Sequence, residues 1–124
     1  MINISEIKDF ESEVILVRKY IGVVSTEEII ASWDDIFSNN LINENCKGVI
    51  DDLTKCKLNM NMQSFQQLLK YLKQNRILKN IKHAVVSDTP EVIVFPTIAQ
   101  KMDNDISICP FTTVDAAVDW ILNR

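Results

Sequence analysis

The sequence predicts an α/β domain: a mixed five-stranded β-sheet with four flanking helices, in the order β-β-α-β-α-β-α-β-α, spanning residues 1–124 as a single domain. Three observations predict it. Runs rich in β-branched residues alternate with stretches whose apolar residues recur every three to four positions, the periods of strand and amphipathic helix. Two of the apolar runs, Val49-Ile50-Asp51-Asp52 and Ala84-Val85-Val86-Ser87-Asp88, are short and close on carboxylates before a helical pattern begins. Strands alternating with helices imply parallel right-handed crossovers, with helices packed on the sheet.

The chain starts extended, Ile2 and Ile4 alternating with polar neighbours, and Phe10-Glu11-Ser12-Glu13 reads as a turn. The run from Val14 to Val23 is too apolar for a half-exposed surface and reads as a central strand. So short a connection favours antiparallel pairing of the first two strands. Ser25-Thr26-Glu27-Glu28 predicts a helix start with a reciprocal capping box between Ser25 and Glu28. Ile29, Trp33, Ile36, Phe37 and Leu41 then mark the buried stripe, and Asn39-Asn40 ends the helix.

A strand is expected over about residues 47–53, followed by a polar loop through Met62. Asn61 caps the next helix, whose face carries Phe65, Leu68, Leu69 and Leu72 and which ends near Asn75. His83 to Asp88 forms the fourth strand. Thr89-Pro90-Glu91 opens a helix with a cap residue, a proline at the first position and an acid in the first turn. Its buried face is Val92, Phe95, Ile98, Ala99 and Met102. Pro96 lies inside it and predicts a kink or break, because proline lacks the amide hydrogen and clashes with the preceding turn. Ile106–Phe111 is the last strand. Thr112 with Asp115 gives a cap-like start to a final helix striped by Val114, Ala117, Val118, Ile121 and Leu122.

Composition excludes several classes of function. Apolar residues make up 47% and charged residues 24% of the chain, with a formal net charge of −4. A nucleic-acid binder needs a basic face to neutralise phosphates; the mild basic cluster from Lys70 to Lys82 reads instead as the solvated side of a helix. Two glycines leave no phosphate cradle. Three irregularly spaced cysteines, Cys46, Cys56 and Cys109, and the lone His83 supply neither a disulfide framework nor a zinc set. They read as reduced thiols of a cytoplasmic protein. No run of the sequence is long and apolar enough for a signal peptide or a membrane span.

Ligands of open α/β sheets bind beyond the carboxyl ends of the parallel strands. The expected rim for a partner or ligand is Asp52, Thr54, Met60, Asn61, Ser64, Asp88, Thr89 and Thr112. Three readings compete for it. The oxygens cap helices and satisfy loop amides; the rim meets a partner protein or an anion at helix N-termini; or Asp52 and Asp88 hold a hard divalent cation. Catalytic templates fail one by one: a lone strand histidine is more often structural, and no serine sits in a nucleophile elbow. Cys56, flanked by lysines, is the most reactive thiol expected, since positive charge lowers a thiol pKa. Met60 and Met62 read as an exposed apolar contact, and Trp33 and Trp120 as packing residues. No catalytic residue, cofactor or metal ligand is assigned. An edge strand or apolar helix face can serve a second copy, as a homodimer, or a foreign partner equally well.

Four stretches together resemble the SpoIIAA-like family, with the STAS fold of anti-sigma-factor antagonists: Tyr20 to Glu28, Val49 to Thr54, Ala84 to Asp88, and Phe111 to Leu122, the last being the most specific. The resemblance covers about residues 12–122. It implies a non-enzymatic regulatory or protein-interaction domain, with enclosure of a lipid or nucleotide as the alternative. Antagonists of that family carry an Asp-Ser-Ser-Gly type motif, phosphorylated on serine, at the start of the helix after the central strand. Here that stretch reads Asn59-Met60-Asn61-Met62-Gln63-Ser64: the glycine is missing, Asn61 stands at the serine position, and Ser64 lies one turn into the helix. The resemblance therefore implies a domain that signals without the usual phosphoserine.

Overall fold

A computed structural model describes residues 1–102 and 105–124, without the side chains of Glu6 and Met102. The elements are β1 (Ile2–Phe10), β2 (Glu13–Ser25), α1 (Thr26–Ser38), β3 (Cys46–Asn59), α2 (Met62–Gln74), α3 (Arg76–Lys79), β4 (Lys82–Val86), α4 (Pro90–Met102), β5 (Ser107–Phe111) and α5 (Val114–Leu122). The expected order holds, with the one-turn α3 added between the second long helix and β4. Asn75 explains the addition: it ends α2, and its side chain accepts from the amides of Ile77 and Leu78, so the chain turns into a new helix at once.

The strands lie in sequence order, β1-β2-β3-β4-β5. β1 pairs antiparallel with β2, as the short turn predicts, and the other three ladders are parallel. The turn places Glu11 in the left-handed region, at φ 60°. Helices α1, α2 and α4 share one face of the sheet with Leu16, Tyr20, Val24, Val49 and Leu53. Helix α5 covers part of the other face, where Ala117, Val118 and Ile121 pack on Ile15, Val17, Ile50, Ala84 and Val86. Where α5 lies, both faces of β2, β3 and β4 are thus dry, which is why these stretches read as continuous apolar runs. Gly48 lets α5 approach: a β-carbon there would stand 2.8 Å from Ile121 Cγ2.

Four local expectations need correction. β3 does not stop at Leu53 but continues to Asn59. Beyond Leu53 its side chains still alternate, Lys55 and Lys57 outward, Cys56 and Leu58 inward against the core. Helix α4 runs unbroken through Pro96, which is buried. Ser25 does cap α1, accepting from the Glu28 amide at 3.2 Å, but the Glu28 carboxylate lies 3.4 Å from the Met1 amine. The cap of α5 is Thr113, accepting from Ala116 at 3.1 Å, rather than Thr112. The stripe of α4 holds for Val92 and Ala99, which are buried; Met102 lies outside the described side chains.

Candidate functional site: a buried polar cluster beneath an apolar cavity

The long β3 splits the expected rim in two. Pairing of β3 with β4 ends at Asp52 opposite Val86, whereas pairing with β2 runs on to Asn59 opposite Ser25. Asp52 and Thr54 therefore sit within a strand, level with the ends of β4 and β5 and with Asp88, Thr89 and Thr112. Met60, Asn61 and Ser64 follow the end of β3 at Asn59, at and just inside the start of α2. The eight residues thus fall into two groups along the chain.

Each group is also largely occupied by local bonding. Asp52 Oδ1 accepts from the Thr54 amide (3.0 Å) and hydroxyl (2.6 Å). The Thr89 amide donates to the buried Ser87 hydroxyl (3.1 Å), and Thr89 Oγ1 reaches Asp88 at 3.4 Å. Asn61 and Ser64 form a full capping box: Ser64 N donates to Asn61 Oδ1 (2.8 Å), Asn61 N donates to Ser64 Oγ (2.9 Å), and Ser64 Oγ donates to the Asn61 carbonyl (3.1 Å). Met60 turns inward against the core, while Met62 is exposed. Thr112 is exposed. Among the described residues no group of three or more His, Cys, Asp or Glu is placed to hold a metal ion.

The most unusual chemistry lies deeper. Arg18, in the middle of β2, is wholly out of solvent. Its neighbour in register on β3 is Asp51. Arg18 Nε donates to Asp51 Oδ1 at 2.7 Å and Nη2 to Oδ2 at 3.0 Å, a two-point ion pair. Nη2 also donates to the Tyr20 hydroxyl (2.8 Å), and Nη1 to Ser32 Oγ on α1 (3.1 Å). The guanidinium lies 3.9 Å from the centre of the Trp33 ring, a cation–π contact in a desolvated setting. A buried charge needs this degree of pairing. Burial alone would weaken the guanidinium's hold on its proton, but Asp51 and Tyr20 outweigh it and raise the pKa above the ordinary value. Burial pushes the Tyr20 hydroxyl well above the ordinary range, against the pull of Arg18.

His83 on β4 completes the cluster. Its ring meets Trp33 edge to face at 6.4 Å. Nε2 lies 2.7 Å from the Leu78 carbonyl; a carbonyl only accepts, so this nitrogen carries the proton. Burial lowers the His83 pKa below its ordinary value, with Arg18 adding to the effect and the Leu78 carbonyl and Asp51 opposing it. The imidazole is therefore neutral.

Above this cluster, between the sheet and helices α1, α2 and α4, lies a cavity of ≈60 Å³. Tyr20, Asp51 and His83 form its polar patch. The rest is apolar, including Leu58 and Met60 from the far part of β3 and its exit, Phe65 and Leu68 from α2, and Phe95 from α4. Phe65 and Phe95 meet at 5.1 Å between ring centres, joining the two helices across it. A cavity needs roughly 10–15 Å³ to hold one water, so this one has room for a few waters or a compact apolar group.

Asp51 and His83 are visible in the sequence as a strand end and a structural histidine, whereas Arg18 and Tyr20 are not among the expected site residues. A signal for them exists: an arginine inside the apolar run from Val14 to Val23 must find a partner, and a second central strand offers a carboxylate. Cys56 is corrected in sign. Burial, aided by Asp52 and Asp51 and only partly countered by the N-terminal amine, pushes its thiol up to about 11. Its lysine neighbours in sequence lie on the opposite face of the strand, so they do not activate it.

No protein-family model and no curated protein matches the sequence. Solved structures do. An uncharacterized protein of the DUF3478 family with a SpoIIAA-like fold, from Shewanella loihica PV-4, superposes with a TM-score of 0.63 at 17% identity, over 97% of this chain and 93% of that one. The anti-sigma factor antagonist SpoIIAA in its unphosphorylated form gives a TM-score of 0.50 at 13% identity, over 96% and 98%. The Bacillus cell fate determinant SpoIIAA in its phosphorylated form gives 0.51 at 12%, over 94% and 97%. The chain thus has the SpoIIAA-like, STAS-like α/β fold that its sequence resembles.

Proposed function

We propose that this chain is a non-enzymatic regulatory domain that acts through protein contact at the start of α2, without a phosphoserine switch. One observation carries the reading: the hydroxyl nearest the start of that helix, Ser64, donates and accepts within the capping box, while Asn61 and Met62 beside it are exposed. A kinase would have to break the cap to reach Ser64, whereas a partner can meet Asn61 and Met62 with the cap in place. The unphosphorylated SpoIIAA structure, that of an anti-sigma factor antagonist on a like fold, supports a regulatory role.

Affinity capture from native lysate at near-physiological salt tests it. The expected result is a partner that is retained by wild type and by Ser64→Ala but lost with Asn61→Arg. Recovery of no Asn61-sensitive partner, or of one that needs phosphorylated Ser64, overturns it.

The cavity favours a second reading, binding of a small, mainly apolar molecule. A lipid-like or aromatic group suits its walls better than a nucleotide. Phosphates need free cationic donors, and the Arg18 guanidinium is already committed to Asp51, Tyr20 and Ser32. A thermal-shift screen with fatty acids, small aromatics and nucleotides decides. A ligand at a hundred times its Kd adds about 2.7 kcal/mol and raises the melting point by several degrees. A flat response across all three classes removes this reading.

A further inference from the structure

The sheet face opposite the cavity is covered only in part. Helix α5 lies on Ile15, Val17 and Ile50. The same face continues up the ladder as Lys19, Ile21 and Val23 on β2, with Lys55 opposite Ile21 and Lys57 opposite Val23 on β3. Here nothing covers it: Ile21 is 38% and Val23 63% exposed, while Tyr20 and Val24, on the cavity face of the same strand, are at 2% or less. Parallel ladders almost always have both faces covered, because their crossovers put helices there. Among the described residues this ladder keeps one face bare over Ile21–Val23.

We propose that this bare face docks an acidic amphipathic helix from a partner protein. The surface is distinct from the α2 start and extends the reading above. A helix is the fitting occupant because the adjoining part of the same face already carries one, α5, and a second would continue that layer. Its acidic character follows from charge. Lys19, Lys55 and Lys57 border the two apolar side chains, and none of the three has an ion pair among the described residues. Asp52, opposite Lys19 in register, is the one carboxylate in these rows and is bonded to Thr54. The face is thus locally positive on a chain of net charge −4. Recruitment to an anionic membrane draws on clusters of about four to eight basic residues, more than this face offers. Among the described residues a second copy offers no free amphipathic helix, since the apolar stripes of α1, α2, α4 and α5 are turned to its own sheet. Two apolar side chains and three lysines make a small contact, so the docking is weak and salt-sensitive.

The test uses the full chain, isotope-labelled for NMR, with three probes: a synthetic helical peptide with leucine on one face and glutamate on the other, its lysine counterpart, and vesicles containing phosphatidylserine. The expected result is that the glutamate peptide shifts the amides of Ile21, Val23, Lys55 and Lys57. Its affinity falls as salt rises, and falls about tenfold in the Lys55→Glu, Lys57→Glu double variant. Val23→Glu, exposed and so compatible with folding, should weaken it as well. Overturning results are shifts absent or confined to the cavity lining, equal binding of the lysine peptide, capture by vesicles but not by peptide, or self-association abolished by Val23→Glu.

Discussion

Arg18 and Asp51 face each other on neighbouring parallel strands and bond at two points, 2.7 and 3.0 Å, with the arginine side chain fully buried and the aspartate 16% exposed. Such a pair is weak evidence for stability as a whole, because two charges had to leave water to form it. Breaking it is another matter. Asp51→Asn leaves the guanidinium buried without its counter-charge and should cost about 3–5 kcal/mol, read as a lower midpoint in urea. The double variant Arg18→Met, Asp51→Leu should recover most of that loss. A neutral Asp51→Asn would mean that the buried guanidinium does not depend on this carboxylate.

The two glycines are expected to respond differently to alanine. At Gly48 a β-carbon would lie 2.8 and 2.9 Å from Ile121 and 2.9 Å from the Lys82 carbonyl. The carbonyl belongs to the sheet and cannot move far, so Gly48→Ala overpacks the α5 side by about 1–3 kcal/mol. Ile121→Val in the same chain should relieve part of it. At Gly22 a β-carbon meets nothing within 4 Å, but φ is +75°. Gly22→Ala therefore costs only the left-handed strain, about 1–2 kcal/mol, and no second-site change in packing relieves it. Urea midpoints of the single and double variants separate the two cases.

Stability should fall in mild acid because of His83. Its folded pKa lies below the ordinary 6.5, burial being the main cause. The unfolded chain therefore takes up a proton near pH 6.5 that the folded chain refuses, and stability rises with pH through this window. From pH 7 downward the loss approaches one proton, at most about 1.4 kcal/mol per pH unit. Unfolding curves for wild type and His83→Gln between pH 7.5 and about 5.5 test this. The wild type should show the extra slope, and the variant should lack it. Equal slopes would mean that the imidazole titrates alike in both states.

How much of the molecule is legible in the sequence depends on which physical signal each residue carries. The alternation of β-branched runs with helical stripes makes the fold readable, since periodicity survives without knowledge of partners. The far half of β3 hides because Thr54-Lys55-Cys56-Lys57-Leu58-Asn59 is polar in composition; its period-two alternation is the better guide. Pro96 misleads for a different reason. It lies seven residues into α4, where local rules predict a break, yet the burial of Val92 and Ala99 on either side holds the helix on the sheet. The cavity and the Arg18 cluster depend on register between β2, β3 and β4 and on the placement of α1, none of which a single sequence states. The expected rim divides into two groups for the same reason: strand length sets where an aspartate sits, and β3 runs six residues past Leu53.

Cys56 should be a slow thiol. With its pKa pushed up to about 11, the thiolate fraction at pH 8 is about a hundredfold below that of an ordinary cysteine. The greater nucleophilicity of a more basic thiolate returns part of this, leaving alkylation by iodoacetamide about tenfold slower than for an unstructured cysteine peptide. Unfolding in urea should restore the ordinary rate. Mass-spectrometric time courses on the Cys46→Ala, Cys109→Ala background isolate the site, and a rate at or above that of the peptide would refute the assignment.

The capping box of α2 sets apart three substitutions at its two residues. Asn61→Ala removes the acceptor for the Ser64 amide and should cost about 1 kcal/mol. Ser64→Ala leaves the Asn61 amide without its 2.9 Å partner and should cost somewhat less. Ser64→Glu should instead be neutral or stabilising, because a glutamate at this third helical position can still accept from the Asn61 amide, and its charge suits the positive end of the helix. Urea unfolding of the three variants gives the order directly. A neutral or stabilising Ser64→Glu would mean that negative charge there leaves the cap in place, so that charge at Ser64 could act only on a partner's contact and not on the fold. Marked destabilisation by Ser64→Glu would refute the capping role given to a charge at this position.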